Sequence, residues 1–216
     1  MTLKTKEIEN ISPVEPRRSD CVEAQASDLL SDEKQIPALA RNAVEIYVLE
    51  RRIAEPMLSS QTSLLNQPSA CFVSIKTLGG ELRGCIGTVD PEKSTLAEEV
   101  ISNAIKAATR DPRFQPLSAK ELSSLRYSVD VLGSLEPARF EDLDPSIFGV
   151  VVVDHTGLRR GLLLPNIESI KTAGHQVYVA AMKAGIKPDE PLRLYRFRTH
   201  RFGEWGMTLN SERGGR

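Results

Sequence analysis

The spacing of apolar residues predicts a helix that begins after Ser31 and ends before Pro56. Apolar side chains recur there every three or four positions, and Pro56 marks the end of the segment. Ser31 is a suitable N-cap, and Pro37 then falls in the first turns, where a missing amide hydrogen costs least. The predicted helix has one apolar face, made of Ile36, Leu39, Ala43, Ile46, Tyr47 and Ile53.

Residues 70–89 alternate between apolar and polar positions as two strands, and Gly79-Gly80 between them is a hairpin signal. A two-residue turn and the match of the two apolar faces fix the register. This register places Cys85 on the polar side of the hairpin, together with Lys76. The predicted cross-strand pairs are Ile75 with Gly84, Ser74 with Cys85, and Phe72 with Gly87.

A similar order of elements recurs in the rest of the chain. A capping box at Thr95 and Glu98 begins a helix that ends before Pro112, and a strand over 126–135 follows. A second hairpin then spans 148–165, and another helix leads to a last strand. Hairpins that alternate with helices predict an α+β fold in which antiparallel strands are covered by helices.

The size and composition of the chain predict one folded domain. The 216 residues are 40% hydrophobic, which is enough to bury a core. Residues 1–30 have few large apolar side chains, so we expect them to form a mobile leader. A single domain of two closely packed parts is expected over 31–206, followed by a flexible tail at 207–216.

The charge balance and the residue types argue against several classes of function. The 28 basic and 29 acidic residues give a net charge of −1, so nucleic acid is not an expected partner. Since no apolar run is long enough for a secretory signal or a membrane span, we expect a cytoplasmic protein that does not bind membranes. Three widely spaced cysteines and three isolated histidines fit neither disulfides nor a metal site, and no cofactor is expected.

Two glycines flank a cysteine within a predicted strand, which is unusual because glycine weakens strands. Gly84 and Gly87 either make room for a neighbouring helix and for the Phe72 side chain, or let a ligand approach the backbone. Arg83 precedes Cys85 by two residues on the same face, so its charge favours a reactive thiolate. Cysteine is equally an ordinary small buried residue, and both interpretations stay open.

Two further stretches carry charged residues near predicted turns. In TRDPRFQPL, Asp111 and Arg113 follow a predicted helix, where cations complement the helix dipole. The same arginine is also suited to grip a carboxylate or a phosphate, with Asp111 orienting it. In GLRRGLLLPN, Arg160 and Asn166 either have a purely structural position, on the hairpin and at a helix start, or line a cleft.

Three stretches in this order, LRGCIGT, DPRFQPL and GLRRGLLLP, resemble the AMMECR domain family over residues 34–205. The resemblance implies an α+β fold with an antiparallel sheet, flanking helices, and a cleft between a larger and a smaller part. It implies no established reaction. Prokaryotic members are similar to component A of a three-part set, so the resemblance implies a Memo-like protein and a radical S-adenosylmethionine protein as partners. This chain departs from the family pattern at Asn166, where glutamine is common.

We expect a binding or accessory protein without stand-alone catalysis, because the sequence assembles no acid–base set around its cysteine. The expected ligand is a small anion or a peptide segment of a partner, held partly by backbone groups that the glycines expose. The candidate contact residues are Arg83, Gly84, Gly87, Thr88, Asp111, Arg113, Arg160 and Asn166.

Two alternatives from other classes of function stay open. In the first, the protein is an enzyme with Cys85 as nucleophile or redox thiol, which requires a thiol pKa below the ordinary value. In the second, RNA or another polyanion binds arginines near the end of the chain. These arginines are Arg193, Arg196, Arg198 and Arg201.

Overall fold

The computed structural model describes residues 18–56 and 63–204, with side chains described from residue 32 onward. Within these ranges the chain forms three α-helices and eight strands. The helices are α1 (Arg18–Glu50), α2 (Leu96–Thr109) and α3 (Ala173–Lys183). The strands are β1 (Cys71–Thr77), β2 (Leu82–Gly87), β3 (Leu125–Leu132), β4 (Glu136–Ala138), β5 (Gly149–Asp154), β6 (Arg160–Leu163), β7 (Leu192–Phe197) and β8 (Thr199–Gly203).

The strands form two antiparallel sheets, each covered by helix on one face. The first sheet has the order β2-β1-β3-β8, and α1 and α2 pack against the face that carries Val73 and Val129. The second sheet has the order β4-β7-β5-β6, and α3 packs against the face that carries Val150 and Val152. This architecture confirms the predicted α+β fold.

The two sheets are built from the same order of elements. A first unit (71–132) contains β1, β2, α2 and β3, and a second unit (149–197) contains β5, β6, α3 and β7. In each unit the first strand lies between the other two. The remaining sheet faces pack together through a shared core. The layers are therefore helix, sheet, sheet and helix, and the shared core includes Phe72, Leu132, Val151, Val153 and Phe197.

The register of the first hairpin agrees with the sequence prediction. Phe72 lies opposite Gly87, Ser74 opposite Cys85, and Ile75 opposite Gly84. The turn is longer than predicted, because the Thr77 amide donates to the Glu81 carbonyl at 2.9 Å. Lys76 then lies opposite Leu82, which leaves Arg83 as an extra residue in β2, as in a β-bulge. The alternation of faces was enough to predict the cross-strand pairs, but the predicted two-residue turn was wrong.

The start and end of α1 differ from the sequence prediction. The helix begins at Arg18, so the predicted N-cap at Ser31 is wrong and Pro37 lies inside the helix. An N-cap residue does not stop a helix when good helix formers precede it, as in VEAQASDLL. The helix ends at Glu50, and Ile53 is 64% exposed instead of joining the apolar face. Residues 1–17 and the predicted tail at 207–216 lie outside the described residues, so the leader and tail stay predictions.

Candidate functional site

Cys85 lies where the two units meet, on an outer strand of the first sheet. The Ser74 hydroxyl on β1 donates a hydrogen bond to Cys85 Sγ at 3.3 Å. The thiol is half-buried, and this desolvation raises its pKa; the Ser74 hydrogen bond opposes the rise, and the negative charge of Asp130 adds to it. Cys85 is therefore a protonated thiol at neutral pH. This direction is opposite to the one that a cysteine nucleophile requires.

The segment after α2 binds the open edge of β2 at Cys85. The Cys85 amide donates to Asp111 Oδ2 at 2.8 Å, and Arg113 Nη2 approaches the Cys85 carbonyl at 3.5 Å. Arg113 also donates to both oxygens of Asp111, at 2.9 and 2.7 Å. These Arg113 hydrogen bonds are the main reason why the pKa of the buried Asp111 falls to about 2. Because the Arg113 side chain is 54% exposed, its outer face stays accessible to a ligand.

Arg83 is less available to the thiol than the sequence indicates. Its Nε donates to Glu121 Oε1 at 2.7 Å, which lowers the pKa of Glu121. The Arg83 and Arg113 guanidinium carbons lie 5.8 and 5.5 Å from the centre of the Phe114 ring. The positive charge of Arg83 is thus compensated by Glu121, and it does not stabilise a Cys85 thiolate.

Lys183 adds a cation from the second unit that sequence reasoning missed. Its ammonium, at the end of α3, donates to the Leu162 carbonyl of β6 at 3.1 Å. The Lys183 side chain as a whole is exposed, but its ammonium is partly desolvated. This desolvation lowers the pKa of Lys183. The interaction with Cys85 opposes the shift, and the positive charge of Arg113 adds to it. Among the described residues, no carboxylate lies within salt-bridge distance of Lys183. Because Lys183 belongs to the second unit, its electrostatic interaction with Cys85 and Arg113 depends on the docking of the two units.

A partly buried ion pair lies on the same face of the first sheet as the thiol. Arg201 on β8 donates to both carboxylate oxygens of Asp130 on β3, at 2.7 and 3.0 Å. Asp130 is 1% exposed and was not predicted as a site residue. A signal for it existed in the strand pattern, since Asp130 is a charged residue between two valines in the strand.

The arginines near the end of the chain do not share one surface. Arg193 and Arg196 lie on opposite faces of β7, because their positions differ by an odd number. Arg196 donates to Glu136 at 3.1 Å. The guanidinium groups of Arg196 and Arg198 lie 4.5 and 4.6 Å from the Phe148 ring centre, so these two arginines are held at one aromatic ring. Arg201 belongs to the first sheet and is neutralised by Asp130. This arrangement does not favour polyanion binding along the strand.

The two glycines around Cys85 are explained by packing. A Cβ at Gly84 would lie 2.3 Å from the Ala107 carbonyl oxygen of α2, and one at Gly87 would lie 2.2 Å from Cγ of Phe72. Gly84 therefore makes room for α2, and Gly87 makes room for the Phe72 side chain, as the packing interpretation of the sequence predicted. The Thr88 hydroxyl donates to the buried Glu99 carboxylate at 2.6 Å, on the helix side of the sheet. The ligand contacts proposed for these residues stay predictions.

Arg160 and Asn166 have contacts of their own away from the thiol. Arg160 Nη1 donates to Asp90 Oδ2 at 2.5 Å, which links β6 of the second unit to the loop after β2. Asn166 is exposed and left-handed, with φ 55°, a conformation that asparagine tolerates better than most residues. The backbone N–H of Asn166 donates to the Pro145 carbonyl at 2.7 Å. Both residues therefore have structural roles in the positions observed.

Comparisons with known proteins identify the family. A profile of the AMMECR1 family matches residues 37–202, more than two thirds of the chain. The chain belongs to the AMMECR1 family. A Thermotoga maritima protein is 44% identical over 165 residues, which cover 76% of this chain and 94% of that protein. A Clostridium acetobutylicum protein is 36% identical over 94% of this chain, but the chain spans only 41% of its length.

A solved structure has the same fold. The crystal structure of the uncharacterised protein PH0010 from Pyrococcus horikoshii matches with a TM-score of 0.73 and 28% identity. The match covers 82% of this chain and 93% of that chain. All residues around the thiol, from Ser74 to Arg201, lie inside the AMMECR1 match.

Two negative observations concern the described residues alone. None of the helices within 18–56 and 63–204 combines the length and hydrophobicity needed to cross a membrane. In the same ranges, no group of three or more histidine, cysteine, aspartate or glutamate side chains is arranged to hold a metal ion. The cytoplasmic location and the absence of a cofactor stay predictions.

Proposed function

We propose that this AMMECR1-family chain is an accessory binding component, and that its binding site is the junction site made of Cys85, Arg113 and Lys183. Lys183 carries the proposal. Its ammonium is within electrostatic range of Cys85 and of the exposed Arg113 guanidinium, and it has no carboxylate partner among the described residues. A partly desolvated cation without a counter-charge favours an anionic ligand, because the ligand supplies the missing charge.

The binding role is supported over catalysis by the state of the thiol. The pKa of Cys85 is raised by burial, and the charge of Arg83 is compensated by Glu121. Among the described residues, no histidine forms a hydrogen bond with Cys85. A stand-alone cysteine enzyme needs a thiolate or a base within hydrogen-bond reach, and neither is assembled here.

The proposed partners are the Memo-like and radical S-adenosylmethionine proteins that the family resemblance implies. In this proposal, an acidic group of such a partner, or a small anion held between the proteins, binds Lys183 and Arg113. Electrostatic contacts of this kind select partners by charge and speed association.

Binding of the two purified partner proteins from the same organism tests the proposal by isothermal titration calorimetry. Lys183→Met keeps the length of the side chain and removes its charge, so we expect binding to weaken roughly tenfold. Lys187→Met, at an exposed lysine four residues later, is the matched control and should bind normally. Cys85→Ser should also bind normally, since serine keeps a hydrogen-bonding group opposite Ser74.

Three results would count against the proposal. Equal affinity of the Lys183→Met and Lys187→Met variants would remove the junction site from the interface. Loss of binding in Cys85→Ser, with unchanged thermal unfolding, would point to thiol chemistry instead. Absence of binding to either partner by the unmodified protein would refute the assignment of partners.

A further inference from the structure

The helices α2 and α3 occupy equivalent places in the two units. The Asn103 side chain on α2 donates to the Cys71 carbonyl at 3.1 Å, and the Gln176 side chain on α3 donates to the Phe148 carbonyl at 2.9 Å. Cys71 begins the first strand of the first unit, and Phe148 directly precedes the first strand of the second. Because these two buried amides hold the same backbone position in each unit, the two helices can be compared residue by residue.

The outer face of α2 is covered by a helix, whereas the outer face of α3 is open. Ile101 and Ile105 of α2 pack in the same core as Ile36 of α1. Their counterparts on α3, at the same distance from the buried amide, are Gly174 and Tyr178. Tyr178 is 50% exposed, and no α-helix of the described residues covers this face as α1 covers α2. The second unit therefore lacks the helix that completes the first.

The open face of α3 carries a groove of about 190 Å³ and large exposed apolar side chains. Tyr178 lines the groove, and Met182, one turn further along the helix, is also half-exposed. The half-exposed Phe140 lies near the start of α3, with its Cζ 3.7 Å from the place where a Cβ on Gly174 would lie. Apolar side chains that are exposed together mark a surface that binds another protein. The segment after α3 closes the groove with Ile186, Pro188 and Leu192.

The exposed face of α3 is complementary in shape to a second copy of itself. In a twofold pair of antiparallel helices that cross at Tyr178, each residue before Tyr178 lies opposite the residue equally far after it. Met182 then lies opposite Gly174, and Lys171 lies opposite Gly185, so a long side chain meets a glycine in both cases. The two Tyr178 rings lie at the axis, where aromatic pairs pack favourably.

The charges at the two ends of α3 are also complementary in this arrangement. Glu168 and Lys171 precede the helix, and Lys187 and Asp189 follow it. All four side chains are exposed, and none forms a salt bridge with another described residue. Antiparallel packing brings the start of one helix beside the end of the other, so each lysine meets a carboxylate of the second copy. A second copy thus supplies both an apolar cover and the counter-charges.

We infer that two copies of this chain associate through α3, about a twofold axis at Tyr178. The α3 helix of the second copy then covers the second unit as α1 covers the first. This interface goes beyond the proposed function, and it contains none of the three residues of the junction site.

Sedimentation velocity of the full chain, from micromolar to submillimolar concentration, tests the inference. We expect a reversible equilibrium between monomer and dimer. Tyr178→Glu should weaken this association roughly thirtyfold, because an aromatic contact is lost and two carboxylates face each other at the axis. Leu49→Glu is the matched control, since this leucine is equally exposed but lies on α1, and it should associate normally.

A charge exchange separates the interface from effects on folding. Lys171→Glu alone should weaken the dimer a few-fold, because it places a carboxylate beside Asp189 of the second copy. Asp189→Lys alone should weaken it to a similar degree. The double variant Lys171→Glu/Asp189→Lys restores an opposite-charge pair, so its association should return towards that of the unmodified protein.

The inference is overturned if the unmodified protein stays monomeric at every concentration, since the groove would then be free for a different protein. A dimer that persists in Tyr178→Glu overturns it as well, because the copies would then meet on another surface. The same holds if the double variant associates no better than the two single variants, provided that thermal unfolding of all three is unchanged.

Discussion

At the scale of single residues, the neighbours of Cys85 in space decide its chemistry. Arg83 is close in sequence, but its guanidinium is held by Glu121. The thiol instead lies beside Ser74 and the negative charge of Asp130. Burial outweighs the cations that remain, Arg113 and Lys183, so the neutral thiol is favoured. A cysteine next to an arginine in a motif is therefore poor evidence for a thiolate.

The pH dependence of Cys85 alkylation by iodoacetamide is a direct test of this environment. Only the thiolate reacts, so a raised pKa moves the rate midpoint above about 8.5, the value of a free cysteine. We expect Ser74→Ala to move it further up, because the serine hydrogen bond lowers the pKa. Cys21 is replaced by serine, and Cys71 is kept because burial raises its pKa to about 12. The urea-unfolded protein is the control, and a folded midpoint below its value would revive the nucleophile hypothesis.

At the scale of secondary structure, one glycine in each unit lets a helix approach the outer strand of its hairpin. A Cβ at Gly84 would lie 2.3 Å from the Ala107 carbonyl oxygen, and one at Gly161 would lie 1.9 Å from the Ala180 carbonyl oxygen. Each glycine follows an arginine in the second strand of its unit. The RG pairs of the two motifs therefore mark the same packing position, and this reason applies before any ligand is considered.

Gly84→Ala should destabilise the fold. Its methyl group overlaps a backbone oxygen that can move only if α2 moves, so we expect a loss of about 1–3 kcal/mol in the free energy of unfolding. Gly79→Ala is the control, because the nearest atom to its new Cβ is Thr77 Oγ1 at 3.6 Å. Urea denaturation measures both. Equal stability of the two variants would show that α2 adjusts freely and that packing does not explain the glycine.

The sequence was informative where a local rule applies and silent where docking decides. The cross-strand partners of Phe72 and Ser74 were predictable, because apolar faces with a period of two must align. The start of α1 was not, since an N-cap signal at Ser31 competes with helix formers before it. Nothing in the sequence places residue 183 next to residue 85, because the two belong to different units. The sequence therefore predicted Cys85 and Arg113 of the junction site but not Lys183.

At the scale of the whole molecule, the shared core makes the site possible. Leu132 and Phe72 of the first unit pack against Val151 and Phe197 of the second. The Arg160–Asp90 ion pair links the units again near the surface. Side chains that line the junction come from both units, so the site exists only while the sheets are docked. Stability and binding should therefore depend on the same interface.

Phe197→Ala tests whether the two units unfold together. The ring is 1% exposed in the shared core, and its removal should cost about 3–5 kcal/mol of the free energy of unfolding. Hydrogen exchange then reports where protection is lost. Because the units share this core, we expect faster exchange in β1 and β3 as well as in β5 and β7. Leu158→Ala, at a side chain 87% exposed, should leave every strand protected.

Faster exchange confined to the second unit would contradict this coupling. The first unit would then be a domain stabilised by its own core with α1 and α2, and the junction site would lie between independently stable parts. Exchange that rises equally in both units would show instead that the docked sheets form one cooperative structure. In that case a ligand that binds Arg113 of one unit and Lys183 of the other binds only the folded whole, and its binding should slow exchange in both sheets.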